Sequence, residues 1–179
     1  MKTQPVASPA VVSNALNLHH SFHFLEQVVR ARIQLHFCQQ ANEAKIHHEL
    51  ELAYYQDGSI LSNFMHTVEP TFEEYVILLL ALAPHVRPDF LDRVIKEALP
   101  DSGDYPELGG VRDAENRGFL PTGETALFLL AGADLEQRFE VQRILTADHW
   151  FARENILRLE PAREGQPYWS GRLLLDPEY

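Results

Sequence analysis

Apolar residues recur at three- and four-residue intervals through Phe22, Leu25, Val29, Ile33 and Phe37, with no proline or glycine between Ser13 and Lys45. That spacing predicts one long amphipathic helix from about Ser13 to Lys45. A further helix is expected from about Ala44 to Tyr55, and Gln56-Asp-Gly-Ser59 breaks the chain. The densest apolar run, Tyr75 to Ala83, predicts a buried helix. Thr71 is its N-cap, Glu74 completes a capping box, and the helix is expected to end before Pro84. Pro88-Asp89 then opens a helix from Phe90 to Leu99 with Leu91, Val94, Ile95 and Leu99 on its core face. These two helices, joined by Pro84-His-Val-Arg-Pro88, form a helix-turn-helix type of unit.

Residues 100–117 cluster glycine and proline around Tyr105-Pro-Glu-Leu-Gly-Gly110 and read as an irregular surface connection. A helix from Thr122 to Leu130 follows, with Thr122 as N-cap and Gly132 as C-cap, and Asp134 caps another that reaches about Leu145. Partial alternation in Ile156 to Glu160 and in Tyr168 to Leu175, around a polar tip, predicts a β-hairpin. The expected fold is mainly α with a small C-terminal β-hairpin. Helices followed by a hairpin give the order of a winged-helix domain, here preceded by a long N-terminal helix. The chain divides into a flexible leader (1–12), the long helix with a helical extension (13–68) and the winged-helix-like domain (69–179).

Composition narrows the function. The apolar run from Tyr75 to Ala83 is nine residues, far short of the roughly 20 that span a bilayer. Nothing after Met1-Lys2 resembles a signal peptide or lipidation signal, so a cytoplasmic protein is expected. The single cysteine, Cys38, excludes an intrachain disulfide and reads as a small packing residue. Net charge is −11, spread over both halves: 7 basic and 14 acidic residues in 1–110, 8 and 12 in 111–179. Arg138, Arg143, Arg153 and Arg158 are interleaved with Glu136, Glu140, Asp148 and Glu154, which suits a solvated helix surface. Nucleic acid is a poor partner for such a chain, because phosphate-backbone binders cluster their cations.

Gly118-Phe-Leu-Pro-Thr-Gly123-Glu124-Thr125 has the glycine spacing of a phosphate-binding P-loop but carries glutamate where that loop needs lysine. A carboxylate there would repel the phosphates, so no nucleotide site is expected. Among the histidines, His19, His20 and His23 are the best metal candidates, since His19 and His23 lie one helical turn apart with Glu26 one turn beyond. His47-His48 beside Glu49 and Glu51 is a weaker group. His149-Trp150-Phe151 reads as an aromatic closure of the core. Asp104, Glu107, Asp113 and Glu115 lack the oxygen-ligand pattern of a calcium loop and read as solvated. Gly-x-Ser-x-Gly is absent and no nucleophile triad can be assigned. The expectation is therefore no catalytic residue, no cofactor and no resident metal.

The phrases Glu74-Tyr-Val-Ile-Leu-Leu-Leu-Ala-Leu-Ala-Pro-His-Val-Arg-Pro88, Gly118-Phe-Leu-Pro-Thr-Gly-Glu-Thr-Ala126 and Leu157-Arg-Leu-Glu-Pro161 together resemble the N-terminal winged-helix region ahead of an AAA-type ATPase module in a group of bacterial proteins. Some of that group are encoded with phage-tail-like contractile injection systems. The resemblance spans roughly residues 70–179 and implies a non-catalytic adaptor whose partners are a protein substrate and its own AAA module. The lysine P-loop, the acidic strand end for magnesium and an arginine finger are missing here, so the motor is expected beyond Tyr179. Two other functions fit parts of the sequence: a winged-helix DNA-binding regulator, and a small metal-dependent enzyme using His19, His20 and His23.

Overall fold

Ser8 and Pro9 start the first helix: the Ser8 carbonyl accepts from the Val11 and Val12 amides, and proline fits the first helical position because its missing N–H would be unpaired there anyway. The computed structural model describes residues 8–38, 52, 54–99, 101, 103–112 and 118–176. Helix α1 runs Pro9–Cys38, which at 1.5 Å per residue is roughly 45 Å long. It begins four residues ahead of Ser13, and residues 39–45 of the expected helix lie outside the described residues. So does most of the helix expected from Ala44 to Tyr55. Of the predicted stripe Phe22, Leu25, Val29 and Ile33 are buried and Phe37 is partly buried, and the buried face also takes in Phe24, Val28 and Leu35.

Ser59 caps α2 (Ile60–Val68), accepting from the Ser62 amide, and Glu69 closes it in the left-handed conformation (φ 47°). Helix α3 (Phe72–Val86) carries the expected capping box of Thr71 and Glu74. It does not stop before Pro84; it continues through that proline to Val86, and the Arg87 amide still reaches the Ala83 carbonyl at 2.8 Å. Proline so near the end removes one hydrogen bond from the last turn, which a buried apolar helix tolerates. Helix α4 (Phe90–Ala98) is followed by a 3-10 turn (Pro106–Leu108). Then come α5 (Gly123–Ala131), α6 (Leu135–Ile144) and the short α7 (Trp150–Arg153).

The C-terminal hairpin pairs β1 (Leu157–Leu159) with β2 (Leu173–Leu175), antiparallel, with Leu157 opposite Leu175 and Leu159 opposite Leu173. It is shorter than the alternation suggests. Tyr168–Ser170 form a 3-10 turn in place of strand, because Pro167 accepts the Ser170 amide and hydroxyl and curls the chain. A single bridge from Arg172 to Thr122 continues the hairpin onto the segment before α5. The protein is thus mainly helical, with a small C-terminal hairpin and a long N-terminal helix.

The core gathers on α5. Every α5 residue except Glu124 is buried, and the helix is packed by α1, α3, α6 and both 3-10 turns. The hairpin meets α5 through the Tyr168–Ser170 turn, while β2 lies on α3. Three buried polar residues on α1, Asn17, Ser21 and Arg32, have no counterpart in the amphipathic reading; Ser21 donates to the Asn17 carbonyl (2.9 Å) and accepts from the Tyr75 hydroxyl (2.7 Å). Asn17 donates to the Tyr55 carbonyl (2.8 Å) and to Ser59 Oγ (3.0 Å) and accepts from the Tyr55 amide (2.9 Å), pinning the chain before α2. Arg32 donates to the carbonyls of Leu129 (3.0 Å) and Leu130 (3.1 Å), placing a cation at the C-terminal, negative end of the α5 dipole.

Candidate functional site

The glycine-spaced segment before α5 is closed on itself. Leu120 bridges to Val111, the Gly123 amide donates to the Gly171 carbonyl (3.0 Å), and Thr122 and Thr125 cap each other through backbone and hydroxyl. These are the N–H groups that a phosphate would need, and they are engaged within the fold. Glu124, at the lysine position, accepts from Arg138 Nη2 at 2.8 Å on both oxygens, while Arg138 Nη1 reaches the Gly132 carbonyl. Its carboxylate therefore ties α5 to α6 across the Gly132 turn, where φ is +56°, a conformation that favours glycine.

At the foot of α3, Glu74 joins three elements. Its Oε2 accepts the Thr71 amide (2.7 Å), and its Oε1 accepts Trp150 Nε1 (2.7 Å) and pairs with His149 Nε2 (2.8 Å). Nδ1 of His149 in turn accepts the Phe151 amide at 3.2 Å and caps α7. These contacts assign the Nε2–H tautomer to His149. Phe151 is buried and the Trp150 ring packs tilted against it at 4.4 Å between ring centroids, so His149-Trp150-Phe151 closes the core as expected. Burial opposes ionisation of Glu74, yet the hydrogen bonds from Thr71, Trp150 and His149 outweigh it and hold its pKa below the ordinary value of 4.5. A depressed carboxylate contributes stability that is complete above its unfolded pKa and is lost as pH falls through the lower folded value. Glu74→Ala is expected to lower stability by about 2 kcal/mol at neutral pH by leaving Trp150 and Thr71 without an acceptor. Thermal melts from neutral to acid pH should show a smaller acid-induced loss in this variant than in the parent.

Helix α6 is the exposed element. Of its residues only Val141 is buried, whereas Leu135 and Phe139, one turn apart, are 68% and 62% exposed. Glu136 and Glu140 flank them. Of the cations of α6, Arg138 is drawn back onto Glu124, whereas Arg143 stays exposed and pairs with Glu140 on the helix surface at 3.3 Å. Beside α6 a groove of about 890 Å³ runs to the start of α3, with Leu130, Val141 and Ile144 in its wall and Thr71, Glu73, Asp134 and Glu140 among its polar lining. Helix α6 thus leaves two large apolar side chains uncovered beside Glu136 and the Glu140–Arg143 pair. The arrangement was open to sequence reasoning only in part: Leu135 and Phe139 have core spacing, and nothing in the pattern says that their face is left uncovered.

The histidines separate. His19 and His23 are exposed on α1, but His20 turns aside and stacks on Tyr55 at 4.5 Å. Glu26, the nearest carboxylate, is taken by Arg30 (2.7 Å) and Arg93 (3.3 Å). Among the described residues no three metal-ligating side chains come together. The loop carboxylates Asp104 and Glu107 are exposed; His47, His48, Glu49, Glu51, Asp113 and Glu115 lie outside the described residues. Cys38 is partly buried at the end of α1. Among the described residues no helix is long and apolar enough to cross a membrane. No family model, curated protein or solved structure matches the chain.

Proposed function

We propose that this chain is a winged-helix interaction domain that serves as the non-catalytic N-terminal adaptor of a cytoplasmic bacterial AAA-type ATPase. The order of elements supports the reading. An extended segment at Thr122, α5, a glycine turn, α6, the short α7 and a hairpin that bridges back to Thr122 follow one another as in a winged helix, with α6 in the place of the recognition helix. The helix-turn-helix unit in this reading is thus α5–α6 and not the α3–α4 pair expected from the sequence. The observation that carries the adaptor role is the exposed Leu135 and Phe139 pair on that helix, set among Glu136 and Glu140. In this reading α6 contacts a protein substrate or the AAA module, and nucleotide chemistry belongs to a motor beyond Tyr179.

The test compares the isolated chain with the whole natural protein. The isolated chain is expected neither to hydrolyse ATP nor to shift duplex DNA at physiological salt, while the whole protein hydrolyses ATP and crosslinks its own motor or substrate through a photoreactive residue at position 139. Sequence-specific DNA binding by the isolated chain, or ATP hydrolysis by it, overturns the proposal. Phe139→Ser is expected to change stability by less than about 0.5 kcal/mol, as for an exposed residue, yet to weaken that contact severely.

A further inference from the structure

Val12, Leu16, His19 and His23 follow one another at intervals of four, three and four residues, the spacing of a coiled-coil seam, and all four are exposed on α1. On a 3.6-residue helix they fall within one narrow stripe about 16 Å long. Val12 and Leu16 are 47% and 59% exposed. Beyond His23 the same face is occupied, because Glu26 and Arg30 engage Arg93 and Glu97 of α4.

Two histidines one turn apart, with Cβ atoms about 6 Å apart, can present both imidazoles to one cation. Zinc takes four ligands at an enclosed site and favours imidazole nitrogen. A single chain supplies two. His20 is held on Tyr55 and Glu26 lies between two guanidinium groups, so neither is placed to complete the shell. A second copy related by a two-fold axis brings its own His19 and His23, making four imidazoles, and the self-matching geometry is that of an isologous contact.

We infer that the Val12–Leu16–His19–His23 stripe is a zinc-dependent self-association site, in which two copies of α1 lie side by side and share one zinc through their paired histidines. The parallel arrangement sets Val12 and Leu16 against their symmetry mates; an antiparallel one would press them onto the occupied Glu26 and Arg30. The metal is structural here, with all its positions filled by protein, and the site is separate from the α6 surface of the proposed adaptor.

The experiment is light scattering on the size-fractionated chain with equimolar zinc, with zinc stoichiometry measured on the eluted peak. The expected result is a rise from 20.5 kDa to twice that mass, one zinc per two chains, reversed by a chelator. His19→Ala with His23→Ala should abolish the rise without altering the melting temperature of the zinc-free protein, since both side chains are exposed. His20→Ala should leave the rise intact, and Val12→Ser with Leu16→Ser should weaken the dimer at least about tenfold by removing apolar contact. No change of mass with zinc, one zinc per chain without dimerisation, or doubling that persists in the double-histidine variant each overturns the inference. None of these outcomes bears on whether α6 binds a protein partner.

Discussion

Leu127→Ala is expected to destabilise the protein by about 2–5 kcal/mol, the range for truncating a buried leucine whose site collapses only partly. Leu127 is fully buried on α5, and α5 is enclosed by α1, α3, α6 and two 3-10 turns. Helices held from so many sides have little freedom to move into the cavity, which favours the upper part of the range. For a chain of this length each kcal/mol moves the melting temperature by about 2–4 °C, so a loss of roughly 5–15 °C should be seen in a thermal scan. A variant that melts with the parent would show that α5 is not the centre of the core.

Glu124→Lys is the informative companion, because it restores the lysine of a P-loop sequence three residues away. The structure adds the contact with Arg138, and a lysine facing that guanidinium replaces attraction with repulsion. With both side chains partly exposed the effect stays near 1 kcal/mol. ATP hydrolysis should remain absent, since the amides of Gly123 and Thr125 are already bonded to Gly171 and Thr122.

The contrast between these two positions shows which parts of the fold were legible. Local rules wrote the helix ends plainly: Thr71 with Glu74, Thr122, Gly132 and Asp134 each do in the structure what their spacing announces. Pro84 misled because its effect depends on where in the helix it falls, and only His85 and Val86 of α3 follow it. The hairpin was found but its length was not, since Tyr168 and Trp169 suit a strand and a curled turn equally until Pro167 and Ser170 are seen to bond. Buried polar groups were the hardest part. Arg32 sits between Val29 and Ile33 on the apolar stripe, and only the arrival of the α5 carbonyls, nearly one hundred residues later in the chain, explains it. The exposed faces are hidden from sequence for the same reason. Leu135 and Phe139 resemble core residues, and His20 resembles its neighbours, until tertiary packing decides which faces are covered.

Gly171→Ala is expected to have a comparable effect from a different cause. Gly171 has an ordinary φ of −62°, so the backbone there is open to any residue and the requirement is for space. A methyl group at this position would fall inside the carbonyl oxygen of Glu160, with the Leu159 side chain at 3.3 Å behind it. Backbone cannot swing aside as a flexible side chain does, so β1 and the Gly171 segment must part. Three contacts converge where they would separate: the Glu160 amide on the Arg172 carbonyl (2.8 Å), the Arg172 guanidinium on the Glu160 carboxylate (2.6 Å), and the Gly123 amide on the Gly171 carbonyl. The Arg172 contact holds the Glu160 pKa below its ordinary value, so the part of the loss carried by that pair should shrink as pH falls through the carboxylate range. Overpacking of this kind costs about 3 kcal/mol, the upper end of its usual range. Hydrogen exchange should localise the change, with the amides of Gly123, Glu160 and Leu173 losing protection first while α1 and α4 keep theirs. Uniform loss of protection, or a variant as stable as the parent, would show that the Glu160–Gly171 approach does not hold the hairpin in place.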